Sequence, residues 1–254
     1  MLRERNTKII ATLGPSSSSP SKIHSLFKAG ADIFRLNFSH GSHSEHRKRV
    51  FHIRQYEKRI GRPIAILGDL QGPKLRIGKF SKPYFILKSN DRFILDLNTQ
   101  LGSNKRVCLP HPEIFSSVKV NSEILIDDGK IKLFVKKVES GKIITEVING
   151  GKISNNKGVN IPQTFLKLSS LTKKDLKDLE LSLDLCLDYV ALSFVQKADD
   201  ITKLRKLVGS QTAIMAKFEK PLAIQKMNEI LKHSDAAMVA RGDLGVEMPP
   251  EDVP

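Results

Sequence analysis

The stretch KIIATLGPSSSSPSKIHSLFKAGADIFRLNFSH, residues 8–40, decides the fold of this chain. Residues 8–13 form a short apolar run, which is typical of a buried strand. The pair Ser19-Pro20 predicts a helix start, because a serine N-cap precedes proline at the first helical position, and Gly30 predicts the helix end. A second apolar run over residues 33–38 completes a strand–helix–strand unit, which implies two parallel strands joined by a right-handed crossover.

The same alternation recurs on both sides of a central segment. Strands are predicted at residues 8–13, 33–38, 64–67, 189–194, 213–216 and 236–240, with helical segments between them. Six parallel strands with intervening helices indicate an α/β fold. Polar residues follow the carboxyl ends of these strands, which form the catalytic face of a (β/α)8 barrel or the ligand crevice of an open sheet. Either architecture predicts one site at this edge.

The central segment, residues 75–157, has a different pattern of short alternating runs separated by Asn, Asp and Gly turns such as Asp127-Asp128-Gly129. This density of turns predicts a small antiparallel β-domain inserted into the α/β domain. The predicted organisation is a first α/β part at residues 1–74, the inserted domain at 75–157 and a second α/β part at 158–254.

Composition excludes several classes of protein. The chain has 254 residues, of which 40% are hydrophobic, so wholesale disorder is excluded. It contains no apolar run of the roughly 18 residues that a membrane span needs. Its two cysteines, Cys108 and Cys186, make neither a disulfide framework nor a zinc site, and they are typical of a reducing compartment. We therefore expect a cytoplasmic protein.

The formal net charge is +15, and the excess lies within the first 160 residues. Nucleic acid, another polyanion or a phosphorylated small molecule would each suit such a surface, and so would a lysine-rich solvated face without a ligand. Three tyrosines and no tryptophan provide few stacking platforms, which argues against nucleic acid.

Charged side chains at the ends of the later strands form the strongest candidate site. Glu219 and Asp243 follow neighbouring predicted strands, and two carboxylates suit Mg²⁺, which also keeps waters and substrate oxygens. Lys217 lies two residues before Glu219, so both side chains point to one face. With Arg35 and Arg76, this arrangement indicates a site for phosphate or a developing anion. The alternative is a network of structural ion pairs, which also gathers at such an edge.

Other patterns are weaker. Ser39-His40 invites a nucleophile-and-base interpretation, but no Gly-x-Ser-x-Gly elbow surrounds it. His43 and His46, together with His40, have a spacing that could bind a metal, and a solvated helix start is the simpler interpretation. Neither a Walker loop nor a dinucleotide-binding glycine pattern is present.

Seven segments, in the family's order, resemble pyruvate kinase: TKIIATLGPS (7–16), RLNFSHG (35–41), GPKLR (72–76), IDDG (126–129), KGVNIP (157–162), ALSF (191–194) and MVARGDLGVE (238–247). The resemblance implies a (β/α)8 TIM-type barrel with an inserted β-barrel lid after its third strand. It also implies Mg²⁺-dependent, or Mn²⁺-dependent, glycolytic transfer of phosphate from phosphoenolpyruvate to ADP, which gives pyruvate and ATP.

The resemblance assigns roles to individual residues. Arg35 and Lys217 would be catalytic and would bind the phosphoryl group and the enolate. Glu219 and Asp243 would hold the metal, and Gly242 with Asp243 would bind the substrate carboxylate. The residues implied to contact the nucleotide are Asn37, His40, Arg76, Lys157 and, on the lid, Asp128.

The family's potassium site corresponds to Asn37, Ser39, Asp69 and Leu70. Leu70 has no side-chain oxygen to coordinate an ion, and Lys74 stands where potassium-dependent relatives carry a glutamate. Because the Lys74 ammonium could replace the cation, we expect activity without potassium.

The family continues with a Thr-Gln-Met segment, a last barrel strand and a regulatory domain, which are not found after Pro254. We therefore expect an amino-terminal portion with about six of the eight strand–helix units. The family's homotetramer is expected only of the full-length protein. Two alternatives are a non-catalytic remnant that binds nucleotide and metal, and a basic nucleic-acid-binding protein.

Overall fold

The computed structural model describes residues 5–162 and 164–253. Its strands, in chain order, are β1 (Ile10–Leu13), β2 (Ile33–Asn37), β3 (Ala65–Asp69), β4 (Tyr84–Leu87), β5 (Arg92–Asp96), β6 (Arg106–Cys108), β7 (Glu123–Ile126), β8 (Ile131–Glu139), β9 (Lys142–Asn149), β10 (Gly151–Ser154), β11 (Val159–Asn160), β12 (Tyr189–Leu192), β13 (Ala213–Phe218) and β14 (Ala236–Val239). Its helices are α1 (Pro20–Ala29), α2 (His43–Ile60), α3 (Pro112–Ser117), α4 (Lys173–Asp184), α5 (Ala198–Val208), α6 (Pro221–Gln225), α7 (Met227–Leu231) and α8 (Arg241–Glu247).

The predicted parallel strands form one sheet in the order β1-β2-β3-β12-β13-β14. The pairs β1–β2, β2–β3, β3–β12 and β12–β13 are all parallel. Because spatial order equals chain order, successive crossovers move in one direction, as in a (β/α)8 barrel and unlike a doubly wound sheet, whose order reverses at a switch point. The α/β class is confirmed, and the strand order favours the barrel over the open sheet.

Local signals set the helix ends around this sheet. Ser19 caps α1 by accepting a hydrogen bond from the backbone N–H of Lys22. Thr172 and Asp175 cap α4 reciprocally, since each side chain accepts the other's backbone N–H, at 3.1 and 2.9 Å. The helix start predicted at Ser19-Pro20 is confirmed. Between β13 and β14 the helical segment consists of two short helices, α6 and α7, which are separated by Lys226.

A second sheet has the order β11-β7-β8-β9-β5-β6, and β10 pairs antiparallel with β4. Antiparallel pairing was predicted throughout this segment, and it is wrong for β5 and β6, which are parallel. The reason is that residues 97–105 carry the chain back along β5, so that Arg106 begins β6 opposite Ile94. The predicted turn after β7 is present, with Asp127 and Asp128 at left-handed φ values of 56° and 55°. Buried aliphatic and aromatic side chains fill the core of this sheet, including Phe93, Leu95, Ile124, Leu133 and Val147.

The chain divides into two compact units. The first contains the residues up to Gly72 together with 170–217 and 228–238, and so most of the parallel sheet. The second contains 73–169, 218–227 and 239–254, and so β4 to β11 with α6 and α8. The boundaries of an inserted domain at residues 75 and 157 remain a prediction. Within the described ranges, none of the helices has the length and apolar character that crossing a membrane requires.

Candidate active site

The parallel register collects polar side chains on one face of the first sheet. Thr12 lies opposite Arg35 across β1 and β2. Arg35 in turn lies opposite Leu67, and Asp69 comes two residues later on β3. Because side chains alternate along a strand, positions two residues apart face the same side. Continued through β12 and β13, the register brings five polar residues to one face: Thr12, Arg35, Asp69, Ser193 and Lys217.

Asp69 is the centre of this group, and its side chain is only 2% exposed. One carboxylate oxygen, Oδ2, accepts hydrogen bonds from Arg35 Nε and Nη2 at 2.7 and 2.5 Å. The other, Oδ1, lies 3.3 Å from the ammonium of Lys217. Arg35 also donates from Nη1 to Thr12 Oγ1 at 2.9 Å, which fixes the plane of the guanidinium.

Lys217 is held from a second direction by Ser193. Its Nζ donates to Ser193 Oγ at 2.7 Å, and that hydroxyl donates to the carbonyl of Leu70 at 2.8 Å. Ser193 is followed by Phe194, whose φ of 57° is rare for an aromatic residue, so the backbone bends sharply just beyond β12. We refer to Arg35, Asp69, Lys217 and Ser193 as the cationic cluster.

The cationic cluster places two cations, the half-buried Arg35 and the buried Lys217, against the carboxylate of Asp69, so positive charge is concentrated on this face of the sheet. In a region poor in water, such a charge attracts an anion more strongly than it would on an open surface. Both predicted catalytic residues, Arg35 and Lys217, belong to this cluster. The geometry is thus suited to a phosphate or to an oxyanion that forms during a reaction.

Of the positions predicted for a potassium site, Asp69 belongs to the cationic cluster, and Asn37, Ser39 and Leu70 lie in the same first unit. Asn37 lies opposite Asp69, and its side-chain oxygen accepts the backbone N–H of Ser39 at 2.9 Å. The Leu70 side chain is buried, and its carbonyl accepts the Ser193 hydroxyl. Protein donors therefore already contact the side-chain oxygen of Asn37 and the carbonyl oxygen of Leu70. Lys74 is half-buried and belongs to the second unit.

A buried histidine, His46, connects the segment after β2 to helix α2 by a hydrogen bond. His40 is exposed, and its carbonyl accepts a hydrogen bond from His46 Nε2 at 3.0 Å. His46 is 1% exposed, so the interpretation of this residue as part of a solvated helix start is wrong. It packs edge-on against Phe38 and meets Arg49 Nη1 at 3.3 Å through Nδ1. Burial lowers the pKa of His46, against the opposing effect of its bond to the His40 carbonyl.

The second unit brings together three of the predicted nucleotide contacts. Arg76 forms an isolated antiparallel bridge with Gly158, and its Nη1 donates to the Asn156 carbonyl at 2.6 Å. Lys157 forms an ion pair of 2.9 Å with Asp127, next to the exposed Asp128. This hydrogen bond lowers the pKa of the Asp127 carboxyl group. Asn37 and His40 belong to the first unit.

The predicted metal ligands, Glu219 and Asp243, also belong to the second unit. Glu219 directly follows β13 and is 6% exposed, whereas Asp243 is exposed in the first turn of α8. The described residues contain no cluster of three or more His, Cys, Asp or Glu side chains arranged for a metal. Two carboxylates still fit Mg²⁺, which takes its other ligands from water and substrate. Gly242, the other predicted substrate contact, is exposed beside Asp243.

Two features of the structure were not predicted from the sequence. Ser193 lies at the carboxyl end of a predicted strand, and nothing in its local sequence signals the bridge that it forms between Lys217 and Leu70. A buried ion pair joins Lys220 to Glu247, 27 positions apart, and Asn160 contacts the same carboxylate. The position of Lys220 directly after the predicted metal ligand Glu219 was the sequence signal that could have drawn attention to that pair.

Comparison with known proteins places these features in a family. Residues 4–254 match the family described as pyruvate kinase, barrel domain. The chain is 48% identical over 254 residues to a pyruvate kinase of Methylorubrum extorquens, covering 100% of this chain and 53% of that protein. It is 50% identical over 252 residues to one of Agrobacterium vitis, covering 98% and 52%. For one of Geobacillus stearothermophilus, the identity is 40% over 257 residues, covering 99% and 44%. The chain thus spans about half the length of the curated relatives it matches.

Proposed function

Because the chain belongs to the pyruvate kinase family, we propose that it serves the transfer of the phosphoryl group of phosphoenolpyruvate to ADP, which gives pyruvate and ATP. The observation that carries the proposal is the cationic cluster, in which Arg35 and Lys217 share the single buried carboxylate of Asp69. Phosphoryl transfer needs positioned cations and exclusion of water more than it needs covalent catalysis.

Arg35 is proposed to orient the transferring phosphoryl group. Its contacts with Asp69 and Thr12 use three of the five guanidinium N–H groups, so the plane is fixed while two donors are left for phosphoryl oxygens. Lys217 is proposed to stabilise the negative charge that develops on the enolate oxygen as the phosphorus–oxygen bond breaks. Asp69 and Ser193 hold its ammonium in place before the reaction, which reduces the reorganisation that the transition state requires.

Glu219 and Asp243 are proposed to hold Mg²⁺, or Mn²⁺ in its place, and Gly242 with Asp243 to bind the substrate carboxylate. The metal, when bound, would neutralise charge on the substrate oxygens. The donor set supports this assignment, since both ligands are hard carboxylates and one of them, Glu219, is buried.

Asn37, His40, Arg76, Lys157 and Asp128 are proposed to contact the nucleotide. The contacts of Arg76 and Lys157 within the second unit support a shared role for these two cations, since both lie on the segment around Gly158. Asp128 is proposed to help clamp the metal-bound nucleotide from the lid. Its exposure and its turn geometry leave the carboxylate accessible.

Potassium is proposed to be dispensable. Leu70 contributes no side-chain oxygen, and Arg35 and Lys217 already compensate the charge of Asp69, the one acid of the potential site. Lys74 is proposed to supply the remaining positive charge. We also propose a cytoplasmic location and, for the whole protein, the family's homo-oligomeric assembly.

A lactate-dehydrogenase-coupled assay with phosphoenolpyruvate, ADP and Mg²⁺ tests the function. We expect turnover by the parent chain and a loss of about a hundredfold or more in Lys217→Ala, because removing one preorganised donor from an oxyanion site has that effect. Lys203→Ala is the matched control, since Lys203 is an exposed lysine of α5 that pairs with Asp199 at the surface. Binding of both substrates without pyruvate formation by the parent would contradict catalysis and would support the non-catalytic alternative.

A further inference from the structure

Lys220 and Glu247 form a buried ion pair within the second unit. Lys220 Nζ lies 2.9 Å from Glu247 Oε1 and 3.1 Å from Oε2, and the two side chains are 4% and 2% exposed. Neither residue belongs to the proposed substrate, nucleotide or metal contacts. A fully buried pair outside the reaction machinery therefore needs a separate explanation.

The pair connects segments that carry proposed ligands. Lys220 directly follows Glu219, and Glu247 lies four residues after Asp243 on α8. Residues four apart on a helix share one face, so Asp243 is one turn from Glu247 on the same side. Pairing Lys220 with Glu247 consequently fixes the segment that bears Glu219 against the helix that bears Asp243. A backbone hydrogen bond of 3.1 Å from Ala240 to the Phe218 carbonyl joins the same two segments.

A third segment meets the pair through Asn160. Its side-chain amide donates to Glu247 Oε1 at 2.9 Å. Asn160 lies on β11, which pairs with β7, the strand that leads into the Asp127-Asp128-Gly129 turn. That turn also approaches α8 directly, because a Cβ built on Gly129 would lie 3.7 Å from Val246 Cγ1. The buried carboxylate of Glu247 thus links the segments that bear the proposed metal ligands to the pair of β7 and β11, and β7 leads into the turn that contains Asp128.

Stability alone does not account for this arrangement. Burying two charges costs desolvation free energy that their attraction offsets only with good geometry, and apolar pairs of similar volume are often as stable. What an ion pair adds is a single defined orientation of the segments that bear it. The Lys220 ammonium is also committed to Glu247, so it does not neutralise the carboxylates that a divalent cation needs.

We propose that Lys220 and Glu247 are positioning residues that set the geometry of the Glu219 and Asp243 carboxylates for a divalent cation. The inference rests on the proposed function, because it assumes that these two carboxylates bind the metal. Partners that orient metal ligands typically alter affinity by about 10–100-fold when they are removed. The expected effect is therefore on metal affinity, with little effect on folding.

The test titrates Mn²⁺ alone into the chain and measures free Mn²⁺ by electron paramagnetic resonance. Lys220→Met with Glu247→Met removes both charges, preserves net charge and approximates the side-chain volumes. Its control, Lys136→Met with Glu146→Met, removes an ion pair of 2.6 Å at the surface of the same unit. Unfolding in urea, followed by circular dichroism, is measured for every variant.

We expect the buried double variant to bind Mn²⁺ about tenfold more weakly or worse, while it unfolds close to the parent and the surface control binds as the parent does. Lys220→Arg, which keeps a cation against Glu247, should retain most of the affinity. Unchanged affinity in the folded buried variant would overturn the inference. If that variant does not fold, Asn160→Ala replaces it, since it removes only one hydrogen bond to Glu247. Unchanged affinity there would also overturn the inference.

Glu219→Gln separates this inference from the proposed function. If it weakens Mn²⁺ binding while the buried double variant does not, the positioning role alone is wrong. If it leaves Mn²⁺ affinity unchanged, the proposed metal ligands are wrong and the positioning role is overturned with them.

Discussion

Substitution of Asp69 by Asn tests whether its buried carboxylate stabilises the two cations of the cationic cluster. The change keeps the size of the side chain and removes the negative charge that contacts both Arg35 and Lys217. The Asp69 side chain is 2% exposed, and those of Lys217 and Arg35 are 10% and 24% exposed. Breaking a buried pair from one side costs about 3–5 kcal/mol. Because Arg35 can recover some hydration, we expect a loss of about 3 kcal/mol in the free energy of unfolding.

Urea unfolding followed by circular dichroism measures this loss, since the chain contains no tryptophan for fluorescence. Asp184→Asn is the matched control, because Asp184 pairs with Arg47 at the surface, where the side chains are 66% and 52% exposed. Such exposed pairs contribute about 0.5 kcal/mol or less. Inorganic phosphate should stabilise Asp69→Asn more than the parent, because a bound anion replaces the missing charge. A loss within about 1 kcal/mol, with equal phosphate effects, would refute the role of Asp69.

Four further outcomes are expected. Ser193→Ala should lower kcat in the coupled assay with little change in the KM for ADP, because it removes the hydroxyl that helps to hold Lys217. An unchanged kcat with a raised KM for ADP would contradict this. Rates in tetramethylammonium and potassium salts should be comparable, and a strong potassium requirement would show the cation site to be functional. Burial lowers the pKa of His46 in the folded chain below the value of about 6.5 that histidine has in the unfolded chain. As pH falls below about 6.5, the unfolded chain therefore binds a proton that the folded chain does not, and the free energy of unfolding should decrease. His46→Gln should make this decrease smaller in urea titrations at several pH values. Gly72→Ala should destabilise by more than about 1 kcal/mol, since φ is +68° and the added Cβ would lie 2.6 Å from the Phe194 ring; a thermal midpoint equal to the parent's would disprove this.

The elements of the first sheet could be predicted because their signals are local. Apolar runs, the Ser19 cap and the Thr172 capping box each lie within a few residues of the structure they specify. The choice between a barrel and an open sheet could not be made from those signals, because strand order is a property of long-range pairing. Parallel pairing of β5 with β6 was missed for the same reason, since it depends on the path of residues 97–105.

The residues of the candidate site differ in the same way, since those with local signals could be predicted and those that depend on long-range contacts could not. Arg35 and Lys217 could be predicted from their places at strand ends, and the register explains why they reach one carboxylate. The Ser193 bridge and the Lys220–Glu247 pair could not, because each joins side chains more than twenty positions apart. The burial of His46 is likewise invisible in a helix start rich in polar residues, since it depends on contact with Phe38.

The most direct test of whether the cationic cluster is the reaction centre follows the transfer of a radiolabelled phosphoryl group from phosphoenolpyruvate to ADP. The assay follows labelled ATP without coupling enzymes and compares the parent with Lys217→Met and the surface variant Lys203→Met. We expect the parent and Lys203→Met to form labelled ATP at equal rates, and Lys217→Met to be slower by about a hundredfold or more. Labelled ATP formed by Lys217→Met at the parent rate would contradict the assignment of the reaction to this cluster.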